Sequence, residues 1–260
     1  MNDWETILQL RHTLALAVLA VFLCWETVQP FIAQYARDRN GLRRRGRHVA
    51  WNLGLGIANS AVTVAVFVGL WNWATAWSAA AHFGLLQMLP LPAAGRGILA
   101  LLLLDLWTYT WHRLNHRVPF LWRFHRFHHS DRAMDVTTAS RFHFMEIALS
   151  SLLRVPLLLL LGASLAELAV YEALLFAVVQ FQHANIGLPE RLDRILRWVI
   201  VTPHLHRVHH SVVRDESDSN FSSLFSGWDR LHQTYRLSRD PHRIVFGVND
   251  PNPGSQDASP

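Results

Sequence analysis

Three clusters of histidine limit what this chain can be. His112-x-x-x-His116 and His125-x-x-His128-His129 both fall within residues 112–129, and His206-x-x-His209-His210 repeats the second pattern far downstream. Positions four apart on a helix share a face, so His112 and His116 can aim two imidazoles at one point. His125 is a helical neighbour of both His128 and His129, whereas those two diverge by about 100°. That divergence suits two metal ions side by side, and the eight imidazoles exceed what one tetrahedral site takes. A lone histidine is most often a satisfied polar side chain, and this density at these spacings is not what chance produces. The remaining His12, His48, His82, His232 and His242 show no comparable spacing, and His204 is off the pattern.

The rest of the chain is apolar. Of 260 residues, 51% are hydrophobic and 17% charged, where a soluble domain carries about a quarter charged residues. The shortage is concentrated in long runs, which read as membrane spans. The net charge of +5 comes from arginine, since the chain has no lysine. Arg37, Arg39, Arg43, Arg44, Arg45 and Arg47 face only Asp38 between two apolar runs, a cytoplasmic-loop marker. No soluble reader domain surrounds them, which argues against nucleic acid. Cys24 is the only cysteine, so an intramolecular disulfide and a cysteine-held cluster are both excluded. The start lacks a signal peptide of the usual form, so the first apolar run reads as a retained span.

In chain order, the first span covers residues 13–36 and includes Glu26, which must face protein or lie near an end. The second covers 49–73, with Trp51, Trp71, Trp73 and Trp77 near its ends and Asn52 and Asn59 on one face. Residues 74–95, broken by Pro90, Pro92 and Gly95, form an outer connection. The third span covers 96–111 and its helix continues through His112 and His116. Residues 144–161 and 165–181 make a hairpin around Gly162-Ala163-Ser164. The tail over 249–260 reads as disordered. With the arginine stretch inside, counting crossings puts the N-terminus outside and every histidine cluster on the cytoplasmic face. The expected architecture is all-α: a polytopic membrane helical domain with a cytosolic, histidine-rich cap. Its divisions are a membrane region and basic loop over 1–95, a catalytic region over 96–236 and a polar tail over 237–260.

Spacing does not name the metal, because imidazole serves iron, zinc, copper and nickel. Arg113 follows His112, so the HExxH pattern of zinc proteases is absent. A zinc pair in a membrane hydrolase stays open, as does a non-enzymatic membrane protein. For redox work on an unactivated C–H bond, a diiron centre that uses O2 is the sound candidate. Trp107, Tyr109, Trp111, Phe120, Trp122 and Phe124 either line an entrance or anchor the chain at the interface.

The order HxxxH, HxxHH, HxxHH resembles the sterol desaturase / fatty acid hydroxylase superfamily. Residues 138–143 (TASRFH) followed by Glu146 resemble the segment after its second box. Residues 181–185 (FQHAN), residues 202–211 (TPHLHRVHHS) and Asn220 with residues 228–231 (WDRL) resemble later pieces. The resemblance implies two iron ions, O2 as co-substrate and an external electron-transfer protein, a ferredoxin or a cytochrome b5-like protein with its reductase. It also implies hydroxylation or desaturation of a fatty-acyl or sterol-like membrane lipid, at the cytoplasmic face of a bacterial inner membrane. It implies catalytic and metal roles for His112, His116, His125, His128, His129, His183, His206, His209 and His210. His143 stands as a further ligand or as a group behind the ligands. Asp135, Glu146, Asn185, Asn220 and Asp229 could orient imidazoles, and Arg141 and Arg207 could hold carboxylates or loops. The chain departs from the family pattern at Phe144 after His143 and at His232-Gln233, which bears on subfamily rather than on the centre.

Overall fold

Apolar runs of membrane length decide the architecture. The computed structural model describes residues 3–36 and 38–249, with side chains from residue 13 onward. Within them the fold is all-α, and the only β pairing is two isolated bridges, Ile200 with Phe225 and Ser211 with Phe246. Three helical stretches among the described residues are long and apolar enough to cross a membrane: Arg39–Met88, Phe144–Leu161 and Leu165–His183. Their little-buried apolar surface marks the chain as integral to a membrane.

α1 (Asp3–Val28) ends where residues 29–36, with Pro30, leave the helix. The expected span to residue 36 is therefore too long at its C-terminal end. Glu26 does face protein. Its side chain accepts the backbone N–H of Val136 at 3.0 Å and of Asn185 at 2.9 Å, and pairs with Arg45 at 3.3 Å.

α2 (Arg39–Val62) runs through a π turn (Thr63–Phe67) into α3 (Val68–Ala80). Residues 39–80 extend roughly 60 Å at 1.5 Å per residue, about twice the hydrocarbon thickness. The arginine end therefore projects beyond the lipid. Asn59 donates to the Phe142 carbonyl at 2.9 Å and Asn52 to Thr137 Oγ1 at 3.1 Å, so both asparagines tie α2 to the loop after the second histidine cluster. Of the expected connection over 74–95, residues up to Ala80 are helical; the reversal follows with α4 (Leu85–Met88).

α5 (Ala93–Arg117) carries His112 and His116 beyond its apolar part, as the sequence leads one to expect. Arg96, Asp105 and Arg113 interrupt its apolarity. α6 (Pro119–His129) starts on Pro119 and holds the second cluster. A 3₁₀ turn (Val136–Ser140), capped by Asp135, leads to α7 (Phe144–Leu161) and α8 (Leu165–His183). The reversal between them uses Gly162 at φ 67° and a capping box of Ser164 with Glu167. Gly84 packs onto this turn so closely that a Cβ would lie 2.4 Å from the Gly162 nitrogen. Arg96 binds the Gly162 and Leu86 carbonyls and Glu167 at the same point. The start of α5 and the α7–α8 turn thus share one end, and all the clusters lie at the other.

Short helices complete that second end: α9 (Glu190–Leu196), α10 (Pro203–His209), α11 (Arg214–Ser217) and α12 (Gly227–Leu231). Of the tail, residues 237–249 pack back here: Ile244 and Phe246 are buried with Met134 and Val208, and His242 stacks on Phe31 at 4.0 Å. Residues 250–260, and Arg37, lie outside the described residues.

Candidate metal centre

Nine histidines converge between α5, α6, α8 and α10 in two adjoining sets. His112, His116, His125, His129 and His209 each offer a nitrogen, all within 4.8 Å of one another. His128, His183, His206 and His210 form the second set under the same limit. The sets touch: the His129 and His210 rings stack at 4.4 Å. The divergence of His128 and His129 on α6 sends one to each set, as two ions side by side require. His183 reaches the second set from the end of α8.

The spacing of the donors fits metal better than hydrogen bonding. Nε2···Nε2 separations are 3.1 Å for His116–His129, 2.9 Å for His209–His112, 3.2 Å for His183–His128, 3.0 Å for His206–His183 and 3.1 Å for His210–His206. At a metal–nitrogen distance of about 2.1 Å, ligands at right angles lie about 3.0 Å apart and ligands at the tetrahedral angle about 3.4 Å apart. The observed values match the right angle. Five donors in the first set also exceed the tetrahedral number. His125 Nε2 is buried with no partner, as a nitrogen reserved for a metal would be.

The outward nitrogens fix the tautomers. His112 Nδ1 donates to the Phe221 carbonyl at 2.8 Å, His209 Nδ1 to that of Ser219 at 2.7 Å and His125 Nδ1 to Glu146 at 2.8 Å. His128 Nδ1 donates to the Arg141 carbonyl at 3.2 Å and His183 Nδ1 to that of Val179 at 2.7 Å. Asp218 stands 3.5 Å from His116 Nδ1. Burial, and then neighbouring imidazoles, push His128, His129, His206 and His210 well below the usual histidine range. Burial also holds His209 at about 3, against the lift from the Ser219 carbonyl. These five rings are neutral at pH 7, the form in which imidazole binds metal.

Apolar rings close the site. Phe142 stacks on His128 at 4.4 Å, Trp122 lies 5.0 Å from His116, and Phe221 lies 5.1 Å from His116. Of the aromatic residues considered as an entrance, only Trp122 touches both His116 and His129. Tyr109 is buried and bonds Thr234 at 3.0 Å. A cavity of about 410 Å³ behind α10 and one of about 550 Å³ beside Phe246 are lined by none of the nine histidines.

His143 stands apart from both sets. Its Nδ1 accepts the Met145 N–H at 3.0 Å and so caps α7. Of the residues expected to orient the ligand imidazoles, only Glu146 meets one of the nine clustered histidines directly. Asp229 acts one step back, accepting the N–H groups of Phe221 and Ser222 and so shaping the loop that receives His112. Asp135 caps the 3₁₀ turn, Asn185 bonds both backbone groups of Ile32, and Asn220 bonds the Leu205 and Arg236 carbonyls. Arg141 bonds the Phe127 carbonyl, Asn52 and Ser130, and Arg207 bonds the Ala184 and Ile186 carbonyls, so both hold loops. His204 lies in a third group with Glu190 and Asp193, where Arg197 already pairs both carboxylates. His48 has a place no spacing announced: its two nitrogens meet Asp131 at 2.9 Å and Asp135 at 3.2 Å. The Asp131 carboxyl is held at about 2, His48 and Arg141 outweighing the opposing effect of burial.

Residues 97–234 match the sequence model of the fatty acid hydroxylase family. The chain is 33% identical over 158 residues to ornithine lipid hydroxylase OlsE of Rhizobium tropici, covering 60% of this chain and 46% of that protein. It is 28% identical over 155 residues to the alkylglycerol monooxygenase of Homo sapiens, covering 58% and 33%. It is 27% identical over 150 residues to the cholesterol 25-hydroxylase of Homo sapiens, covering 56% and 53%. The chain spans about half or less of the length of these relatives. No solved structure matches it.

Proposed function

From a chain that belongs to the fatty acid hydroxylase family, we propose an O2-dependent diiron hydroxylase acting on a C–H bond of a membrane lipid. The observation that carries this reading is the pair of adjoining, buried histidine sets with right-angle nitrogen spacing. His112, His116, His125, His129 and His209 would hold one iron, and His128, His183, His206 and His210 the other. Two irons held there supply O2 reduction and oxidation of an unactivated C–H bond, with two electrons from a separate ferredoxin or cytochrome b5-like donor.

The chain's own residues prepare that chemistry. Neutral imidazoles present Nε2 lone pairs inward, while carbonyls and Glu146 take the protons on Nδ1. Phe142, Trp122 and Phe221 exclude water from the site, which keeps a reactive centre from side reactions. The lipid-length helices bring an apolar substrate to the same body. Hydroxylation is preferred over desaturation because the similar proteins are named for hydroxylation or monooxygenation.

The cytoplasmic orientation belongs to the same proposal. The exposed arginines of α2 share an end with the histidines, through Arg45 with Glu26 and His48 with Asp131. Positive charge at that end supports a cytoplasmic orientation. The division at residues 96 and 236, with the catalytic region between, follows the histidine-bearing elements.

Lipid profiling by mass spectrometry, in cells with and without the gene, tests the reading. A lipid gaining the mass of one oxygen, labelled from ¹⁸O2, is expected. Loss of two hydrogens would make it a desaturase. Cleaved lipids without oxygen uptake, on a zinc-only protein, would replace the oxidative reading with a hydrolytic one.

A further inference from the structure

The region after α8 is polar on average, yet one of its faces is not. Leu192, Ile195, Trp198 and Val199 are 44%, 67%, 67% and 59% exposed, and Leu231 is 69% exposed. Leu192, Ile195 and Val199 fall at helical spacing through α9 and its following turn, so they share a side. Asp193 and Arg197 turn inward on the opposite side, buried and paired. Arg191 and Arg194 are exposed beside the apolar residues.

Hydrogen bonds fix how deep this face lies. Asp105 precedes His112 on α5 by two helical turns, about 10 Å toward the far end of the molecule. Its carboxylate accepts the Phe225 N–H at 3.0 Å and the Trp228 indole N–H at 2.8 Å. The Val199 carbonyl accepts the Ser226 N–H at 3.1 Å, and Val201 donates to the Leu224 carbonyl at 3.2 Å. The Arg230 guanidinium lies 4.6 Å from the Trp198 ring. Trp198, Val199 and Leu231 are therefore hung at the level of Asp105, below the histidines. Tyr171 donates to the same Asp105 carboxylate at 3.2 Å, and it is the seventh residue of α8 (Leu165–His183), one of the membrane-length helices.

We propose that Leu192, Ile195, Trp198, Val199 and Leu231 form a wedge seated in the acyl–headgroup boundary of the membrane that the chain spans. Its occupant is bilayer lipid. The link through Asp105 to Tyr171, inside a crossing helix, favours this, because a surface bonded to the flank of such a helix meets lipid before it meets water. Trp198 at the boundary and arginines beside the apolar row fit an interfacial element that meets anionic headgroups. The histidine-bearing end is thus anchored laterally in lipid as well as by its spans, and lipid lies beside the α5 flank that carries Asp105.

Spin-label accessibility tests the wedge. The full chain, with Cys24→Ser, is placed in nanodiscs of zwitterionic and anionic phospholipid. Single nitroxides are attached at Ile195→Cys, Val199→Cys and Leu231→Cys, with Leu174→Cys on α8 and Arg239→Cys in the tail as controls. Collisions with O2 and with a polar nickel chelate are compared. The wedge labels are expected to fall between the two controls, with O2 collisions favoured several-fold over the Arg239 label and less than at Leu174. Three separate positions keep the test alive if one variant does not fold. Labels that match Arg239 would overturn the proposal. Labels shielded from both reagents would also overturn it, since they would assign the face to a protein contact.

Discussion

The two histidine sets lie side by side but are held differently. In the first, three of the five outward nitrogens meet an acceptor, the carbonyls of Phe221 and Ser219 and the Glu146 carboxylate, while those of His116, 3.5 Å from Asp218, and of His129 are buried without a hydrogen-bond partner. In the second, the carbonyls of Arg141 and Val179 serve His128 and His183, while Nδ1 of His206 and of His210 are buried without a partner. The first set also has five donors against four. Orienting partners raise ligand basicity and fix ring geometry before metal arrives. The first set is therefore distinguished by one more donor and a charged acceptor, Glu146, and the second depends more on its ion to become ordered. Three donors from one short stretch, α10, serve both sets, so neither is independent of the other.

Removing a ligand breaks this arrangement most severely. His206→Ala leaves three donors in the second set and is expected to abolish turnover, by about 100-fold or more, with loss of one ion per chain. His112→Ala leaves four in the first set and is expected to retain both ions in part while turnover falls. Metal content and oxygen-consuming activity on the same preparations check both. Greater metal loss from His112→Ala than from His206→Ala would reverse the comparison.

Chelator sharpens it without mutation. Release of metal is expected in two phases, the faster from the second set. His206→Ala should remove the fast phase and leave the slow one. A single phase lost as a whole would mean that the two sets bind as one unit.

Glu146→Gln comes next in size. It removes the one charged acceptor within 3 Å of an outward nitrogen and keeps the shape. The expected cost is about 10- to 100-fold in affinity of the first site. Asp218→Asn should cost less, since its contact with His116 is 3.5 Å. Isothermal titration of metal-free variants under argon measures both.

The smallest effect is that of pH on the metal-free protein. The buried imidazoles have pKa values below those of the unfolded chain, so the unfolded state binds more protons as pH falls. Stability is greatest above the unfolded histidine value of about 6.5 and declines as pH drops through and below it. A lower melting temperature at pH 5.5 than at pH 7.5 is expected. Metal-loaded protein should resist the change down to the pH at which protons displace the ions. Equal melting temperatures for the metal-free protein would contradict neutral burial.

The histidine clusters were legible because ligands on a helix must recur at i, i+3 or i+4, and that spacing survives in the sequence. His183 was reached only through resemblance to a family, since one histidine at a helix end carries no spacing. The outward acceptors were mostly illegible. The groups that receive His112, His128, His183 and His209 are backbone carbonyls, for which residue identity says little. His143 lies outside both sets and caps α7, and a histidine near a cluster and a histidine capping a helix look alike in sequence. Hydropathy found α7 and α8 well, but it ran the first span past Pro30. It read α5 as a short span, within which the fold buries Asp105 in bonds to Tyr171, Phe225 and Trp228. Those partners are far apart in the chain, so the depth of the 198–231 region could only come from the fold. The packing of Gly84 on Gly162, which sets the opposite end, was equally hidden.

Metal stoichiometry tests the central claim most directly. The metal-free full chain, loaded anaerobically with ⁵⁷Fe(II) and freed of excess, is measured by elemental analysis and Mössbauer spectroscopy. Two irons per chain in two nitrogen-rich environments, falling to one in His206→Ala, are the predicted result. One iron or none in the unaltered protein would contradict the account.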